Sequence, residues 1–120
     1  MTKTYTATIC LGLKEGYDGT QHTVSEVLAA CKDFCEESRL CVSVTPTNFC
    51  YPGGSEKGCF VQLIQYPRFI IPETKLLKHA KDLALLLRVR FNQIGVTIIT
   101  TKETLTYYND EWVENIREAT

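Results

Sequence analysis

From Tyr5 to Leu13 apolar and polar side chains alternate. Tyr5, Ala7, Ile9, Leu11 and Leu13 fall on one side, and Thr4, Thr6, Thr8 and Cys10 on the other. That period of two marks a strand with one buried face. Lys14 to Thr20 contains Gly16 and Gly19 and reads as a loop. Thr23 with Glu26 three residues on makes a capping box, which opens a helix. Val24, Val27, Leu28, Cys31, Phe34 and Cys35 share one arc of it, opposite Glu26, Asp33 and Glu37. A second strand runs from about Leu40 to Tyr51, and Pro46 within it implies an edge or a bulge. Pro52 to Gly58 reads as a hairpin loop. Cys59 to Tyr66 follows as a third strand ended by Pro67, apolar on both faces, as in a central strand or one covered by a second chain.

Thr74 to Phe91 is the longest helical pattern. Leu76, Leu77, Ala80, Leu83, Ala84, Leu87 and Phe91 form its main arc, while Leu85, Leu86 and Val89 lie outside it. Apolar residues beyond one face call for a second partner, expected to be another subunit. Gly95 stops the helix, and Val96 to Thr101 is a fourth strand. In the tail, Leu105 to Tyr108 fits a fifth strand or an extension beyond the sheet. Asn109 or Asp110 fits the cap of a short helix carrying Trp112, Val113 and Ile116 on one face. The expected fold is α+β: a split βαβ (ferredoxin-like) antiparallel sheet with two helices on one face, plus a C-terminal extension. Residues 1–120 form one domain, of which 103–120 are the extension.

Composition narrows the function classes. The 13 basic and 14 acidic residues nearly cancel, whereas a dedicated duplex-binding protein carries a basic excess. No apolar run reaches the roughly 20 residues of a membrane-spanning helix. The opening lacks an apolar signal core, which leads to an expected cytoplasmic location and reduced thiols for the six cysteines. Cys31 and Cys35, one helical turn apart, are read as small core residues in preference to metal ligands, and no metal or cofactor is expected.

The sequence shows no obvious catalytic set. Its two histidines, His22 and His79, belong to different elements, and no phosphate loop or dinucleotide fingerprint is present. Two segments stand out. Tyr66-Pro67-Arg68-Phe69 lies at the exit of the third strand, and Arg88-Val89-Arg90-Phe91-Asn92-Gln93 at the end of the long helix. The arginines of the second also fit helix-dipole compensation, and Asn92 fits a helix cap. Together, an aromatic ring, arginines and an amide suit a nucleotide: stacking, phosphate pairing and donor-acceptor reading.

These two segments, with the opening Thr-Tyr-Thr-Ala-Thr-Ile-Cys-Leu-Gly-Leu-Lys-Glu-Gly-Tyr, resemble the phage anti-Thoeris sponge proteins, the first family of Thoeris anti-defence proteins. The resemblance extends to about Thr101. It implies a homo-oligomer, a homodimer or larger, that sequesters a cyclic ADP-ribose-type signal intact, is not an enzyme, and acts in the cytoplasm of the infected bacterial host. Some members of that family also hold cyclic oligonucleotides at separate sites. The resemblance makes Phe69 and Asn92 ligand contacts and Arg68 and Arg90 phosphate partners. Two other classes fit the same sheet: a small dimeric α+β enzyme, and a ligand-sensing module that acts on a protein partner.

Overall fold

The computed structural model of the chain describes residues 5–16, 19–64 and 71–114. In chain order its elements are β1 (Thr6–Gly12), α1 (Val24–Ser38), β2 (Val42–Tyr51), β3 (Gly54–Ile64), α2 (Glu73–Arg90), β4 (Val96–Thr100), β5 (Thr104–Tyr108) and β6 (Glu111–Glu114). The strands form one sheet in the order β2-β3-β1-β4-β5-β6, and every neighbouring pair is antiparallel. The first four strands and two helices form the expected split βαβ core. β5 and β6 widen the sheet beyond β4.

Alternation along β1 sets the two faces. Ala7, Ile9 and Leu11 are fully buried, together with Val61 and Leu63 of β3 and Ile98 of β4. Val27, Ala30 and Cys31 of α1 and Leu76, Ala80, Leu83, Ala84 and Leu87 of α2 close over them. Each such Leu or Ile side chain contributes about 1.5–3 kcal/mol of burial free energy. The arc read for α1 is corrected at Leu28, which is exposed, while Ala30 takes a core place. Burial drives the Cys31 thiol pKa up to about 12 and that of Cys59 up to about 11, so both behave as apolar core groups.

The opposite face of the sheet carries no helix among the described residues. Registers place Cys10 beside Phe60, Thr45 beside Phe60 and Thr8 beside Ile99 there. Ile99, Tyr108 and Val113 are exposed, and Phe49 meets Phe60 edge-on at 5.5 Å. Gly58 must be glycine for this arrangement, because a Cβ would collide with the Phe49 ring and the Leu11 carbonyl.

Two parts of the chain differ from the sequence expectation. The hairpin between β2 and β3 turns at Pro52 and Gly53 alone. Ser55, Glu56 and Lys57 belong to β3, paired with Cys50, Phe49 and Asn48. In the tail, Asn109 and Asp110 have φ of 54° and 62°, the left-handed pair of a two-residue hairpin turn. They join β5 to β6, so Trp112 and Val113 lie on a strand and not on a helix. Trp112 packs edge-on against Tyr107 at 5.3 Å and under the Lys81 ammonium.

Candidate functional site

Side chains with unused chemistry gather at one end of the sheet. Here β1 runs into the loop 13–16, α1 begins, the β2–β3 ribbon passes, α2 ends and the β5–β6 turn projects. The loop folds back by backbone pairing. His22 N donates to Leu13 O at 2.7 Å, Glu15 N to Thr20 O at 3.0 Å, and Leu13 N to Lys57 O at 3.2 Å. This reversal carries His22 over Glu15, seven residues earlier in the chain.

The result is a carboxylate–imidazole–carboxylate chain. His22 Nε2 lies 2.5 Å from Glu15 Oε2, and Nδ1 lies 3.1 Å from Glu26 Oε2. Glu26 is itself held by the capping box: Thr23 N donates to its Oε1 at 2.9 Å, and Glu26 N donates to Thr23 Oγ1 at 3.3 Å. The hydrogen bonds to Glu26 and then Glu15 raise the His22 pKa above its ordinary 6.5. Both carboxylates move the other way. Glu15 is lowered by the His22 bond and then by Asn92; Glu26 is lowered by His22 and then by the Thr23 backbone N–H. The imidazole ring also stands edge-on to Phe91, with centroids 5.0 Å apart.

The end of α2 completes the cluster. Phe91 caps the helix, and Asn92 adopts the left-handed conformation with φ 51°, a place that Asn tolerates better than most residues. Asn92 Nδ2 then donates to Glu15 Oε1 at 3.2 Å. Gln93 Nε2 donates to Lys14 O and to Phe91 O, each at 3.0 Å. Two consecutive residues thus tie the helix end to the loop after β1.

Among the described residues, clefts border this knot on several sides. One of about 520 Å³ is bordered by Lys14, Gly16, Tyr51, Glu56, Gln93, Ile94 and Gly95. A second of about 440 Å³ lies beside His22, Pro46, Asn48 and Lys57, and a third of about 380 Å³ beside Arg88, Asn92, Tyr108 and Asp110. Each is of the size that small-ligand sites occupy. In the third, Arg88 lies 5.1 Å from the Tyr107 ring centroid and donates from Nε to Ile94 O at 3.3 Å. Among the described residues, no group of three or more His, Cys, Asp or Glu side chains is arranged to hold a metal ion. Among the same residues, no helix is long and apolar enough to cross a membrane.

Of the residues singled out in the sequence, Asn92 stands in the knot. Arg90 lines a separate cleft of about 480 Å³ between α1 and α2, with Asp33, Phe34, His79 and Asp82. Phe69 and Arg68 lie outside the described residues. Nothing in the sequence marks Glu15 and His22 as partners, because their proximity depends on the folded chain. Their only local signal was the spacing of four between His22 and Glu26 at a helix start.

The architecture belongs to the α+β proteins with a split βαβ core and a cleft-bearing sheet end. No family model matches the chain, and no curated protein matches it. Two solved chains share its fold. A phage SAM lyase in the apo state matches with a TM-score of 0.64 at 17% identity, covering 100% of this chain and 97% of that one. A phage SAM lyase in complex with S-methyl-5'-thioadenosine matches with a TM-score of 0.63 at 14% identity, over 98% and 92%. At these identities the likeness is one of fold. The anti-Thoeris resemblance rests on sequence motifs alone.

The expectation that the chain is not an enzyme is corrected by this likeness, since the shared fold is that of a lyase. The physical ground for that expectation also falls away. It rested on a missing acid-base constellation, and the fold brings Glu15, His22 and Glu26 into hydrogen-bonding contact.

Proposed function

We propose that this chain binds a small adenosine-containing molecule at the rim built around Asn92, and that the molecule is a signal of the cyclic ADP-ribose class drawn away from bacterial Thoeris immunity. The observation that carries the adenosine reading is that a chain of the same fold, matched over nearly the whole length of this one, holds S-methyl-5'-thioadenosine. The cyclic ADP-ribose class rests on the sequence resemblance. Asn92 spends one amide hydrogen on Glu15, which leaves its second hydrogen and its carbonyl oxygen for a ligand. Phe69 is its expected stacking partner and Arg68 its expected phosphate partner, while Arg90 borders the separate cleft between α1 and α2. Ile99, Tyr108 and Val113, exposed on the helix-free face, support the expected self-association.

A second reading is favoured by the lyase fold and by the Glu15–His22–Glu26 chain: the bound adenosine compound is also transformed. Here Glu15 or Glu26 exchanges a proton with the ligand, while His22, whose two ring nitrogens are both committed to these carboxylates, positions them. One experiment tests both. Calorimetric titration with cyclic ADP-ribose isomers, S-methyl-5'-thioadenosine and S-adenosylmethionine should give saturable binding to at least one. Mass spectrometry of the recovered ligand then separates retention from conversion. If none of these compounds binds, the adenosine reading is wrong.

A further inference from the structure

The 520 Å³ cleft on the rim lies apart from the Glu15–His22–Glu26 chain, and its chemistry is unspent. Tyr51 and Glu56 alternate onto the helix-free side of β2 and β3, and both are exposed. Neither Lys14 nor Glu56 forms an ion pair with a described residue. Gln93 has both amide hydrogens committed to Lys14 O and Phe91 O, so its Oε1 remains as an acceptor of fixed direction.

Gly12 shows where these groups converge. A Cβ added there would stand 3.0 Å from Gln93 Oε1 and 3.6 Å from Glu56 Oε2. The positive-φ glycines among the described residues are Gly16 and Gly53, so the backbone does not require glycine at position 12. Its missing side chain instead keeps open the space between two acceptors. Two acceptors beside one gap match a pair of adjacent hydroxyls. A lysine ammonium beside them matches a phosphate, and an exposed tyrosine ring matches the face of a base.

We propose that this cleft is the subsite for a nucleoside phosphate with an intact ribose diol. Glu56 and Gln93 Oε1 accept from the two hydroxyls, Lys14 pairs with the phosphate, and Tyr51 stacks on the base. The assignment rests on the adenosine-ligand reading above and names which part of the ligand these residues take.

Adenosine 5'-monophosphate and its 2',3'-dideoxy analogue serve as probes, titrated by calorimetry into the full chain and its variants. The wild type should bind the diol compound at least tenfold more tightly than the dideoxy one. Glu56→Ala should erase that preference. Gly12→Ala should weaken the diol compound at least tenfold while circular dichroism shows the fold retained, since its Cβ takes the space between the two acceptors. Tyr51→Ala should weaken both probes. Equal affinity for the two probes, or full affinity in both Gly12→Ala and Glu56→Ala, overturns the subsite. Cyclic ADP-ribose binding that depends on Asn92 but ignores Gly12 and Glu56 overturns the subsite and leaves the broader reading standing. Binding of no adenosine compound overturns both.

Discussion

Truncating Phe91 tests whether the core supports the site. Its ring is almost fully buried, beneath the knot that joins α2 to the loop after β1, and it carries the edge of His22. Removing such a ring to alanine costs about 3–5 kcal/mol in transfer and cavity terms, and the lost ring–ring contact adds about 0.5–1.5 kcal/mol. A domain of this size has roughly 5–15 kcal/mol in total, so Phe91→Ala should keep only part of its stability. With a urea slope of about 1.5–2 kcal/mol per molar, a 4 kcal/mol loss moves the unfolding midpoint down by about 2–3 M. Phe91→Leu keeps most of the volume and loses the ring pair, so about 1–2 kcal/mol is expected. Equilibrium urea unfolding followed by circular dichroism measures both. A loss below about 1 kcal/mol for the alanine variant, at unchanged slope, refutes the view that this ring holds the rim to the core.

Stability should depend on pH through the His22 cluster. The His22 pKa is raised, so its pairing contributes fully below the unfolded value of 6.5 and is lost as pH rises through the folded value. The Glu15 and Glu26 pKa values are lowered, so their contribution is present above the unfolded 4.5 and is lost as pH falls through their folded values. The stability difference between wild type and His22→Gln should therefore be greatest between pH 4.5 and 6.5, and a flat difference from pH 4 to 8.5 in urea titrations rejects the cluster. At position 92, backbone and side-chain roles separate. Asn92→Gly relieves the left-handed φ and Asn92→Ala does not, so the alanine variant should be the less stable by about 1 kcal/mol. Both should lose ligand affinity alike if the amide is the contact, and unimpaired binding in the glycine variant removes Asn92 from the site.

Where local pattern and tertiary demand agree, the fold could be read directly. The alternation of Tyr5 to Leu13 and the Thr23–Glu26 box need no distant partner to have meaning, and both recur in the structure. The tail fails for a definite reason. Asn and Asp serve helix caps and left-handed turns equally well, and four residues with one Trp cannot separate period 3.6 from period 2. The pairing of Tyr107 with Trp112 decides it, and that contact requires β5 to be in place. Ser55, Glu56 and Lys57 look like loop by polarity, yet they pair with the edge strand β2 and stay solvated there. The site was least visible because its central distance, Glu15 to His22, is set by backbone bonds that His22 N donates to Leu13 O and Glu15 N to Thr20 O. Asn92 could be singled out as a helix-end amide, but its partner Glu15 lies 77 residues away in the chain.

The position of the clefts follows from how α2 ends. Asn92 N donates to Val89 O at 3.2 Å and Gln93 N to Arg88 O at 2.9 Å, so the chain turns sharply and throws two successive amide side chains apart. Asn92 reaches Glu15 while Gln93 reaches the Lys14 carbonyl. The same short turn thus fixes the acceptor of one cleft and the donor of another, with the loop after β1 clamped between them. A ligand that uses either cleft meets one amide, of Asn92 or Gln93, already held by hydrogen bonds to the backbone or to a charged neighbour, and that side chain has little rotamer freedom left to lose on binding. Loosening the Glu15 contact should therefore disturb both clefts together, although Glu15 borders neither of them.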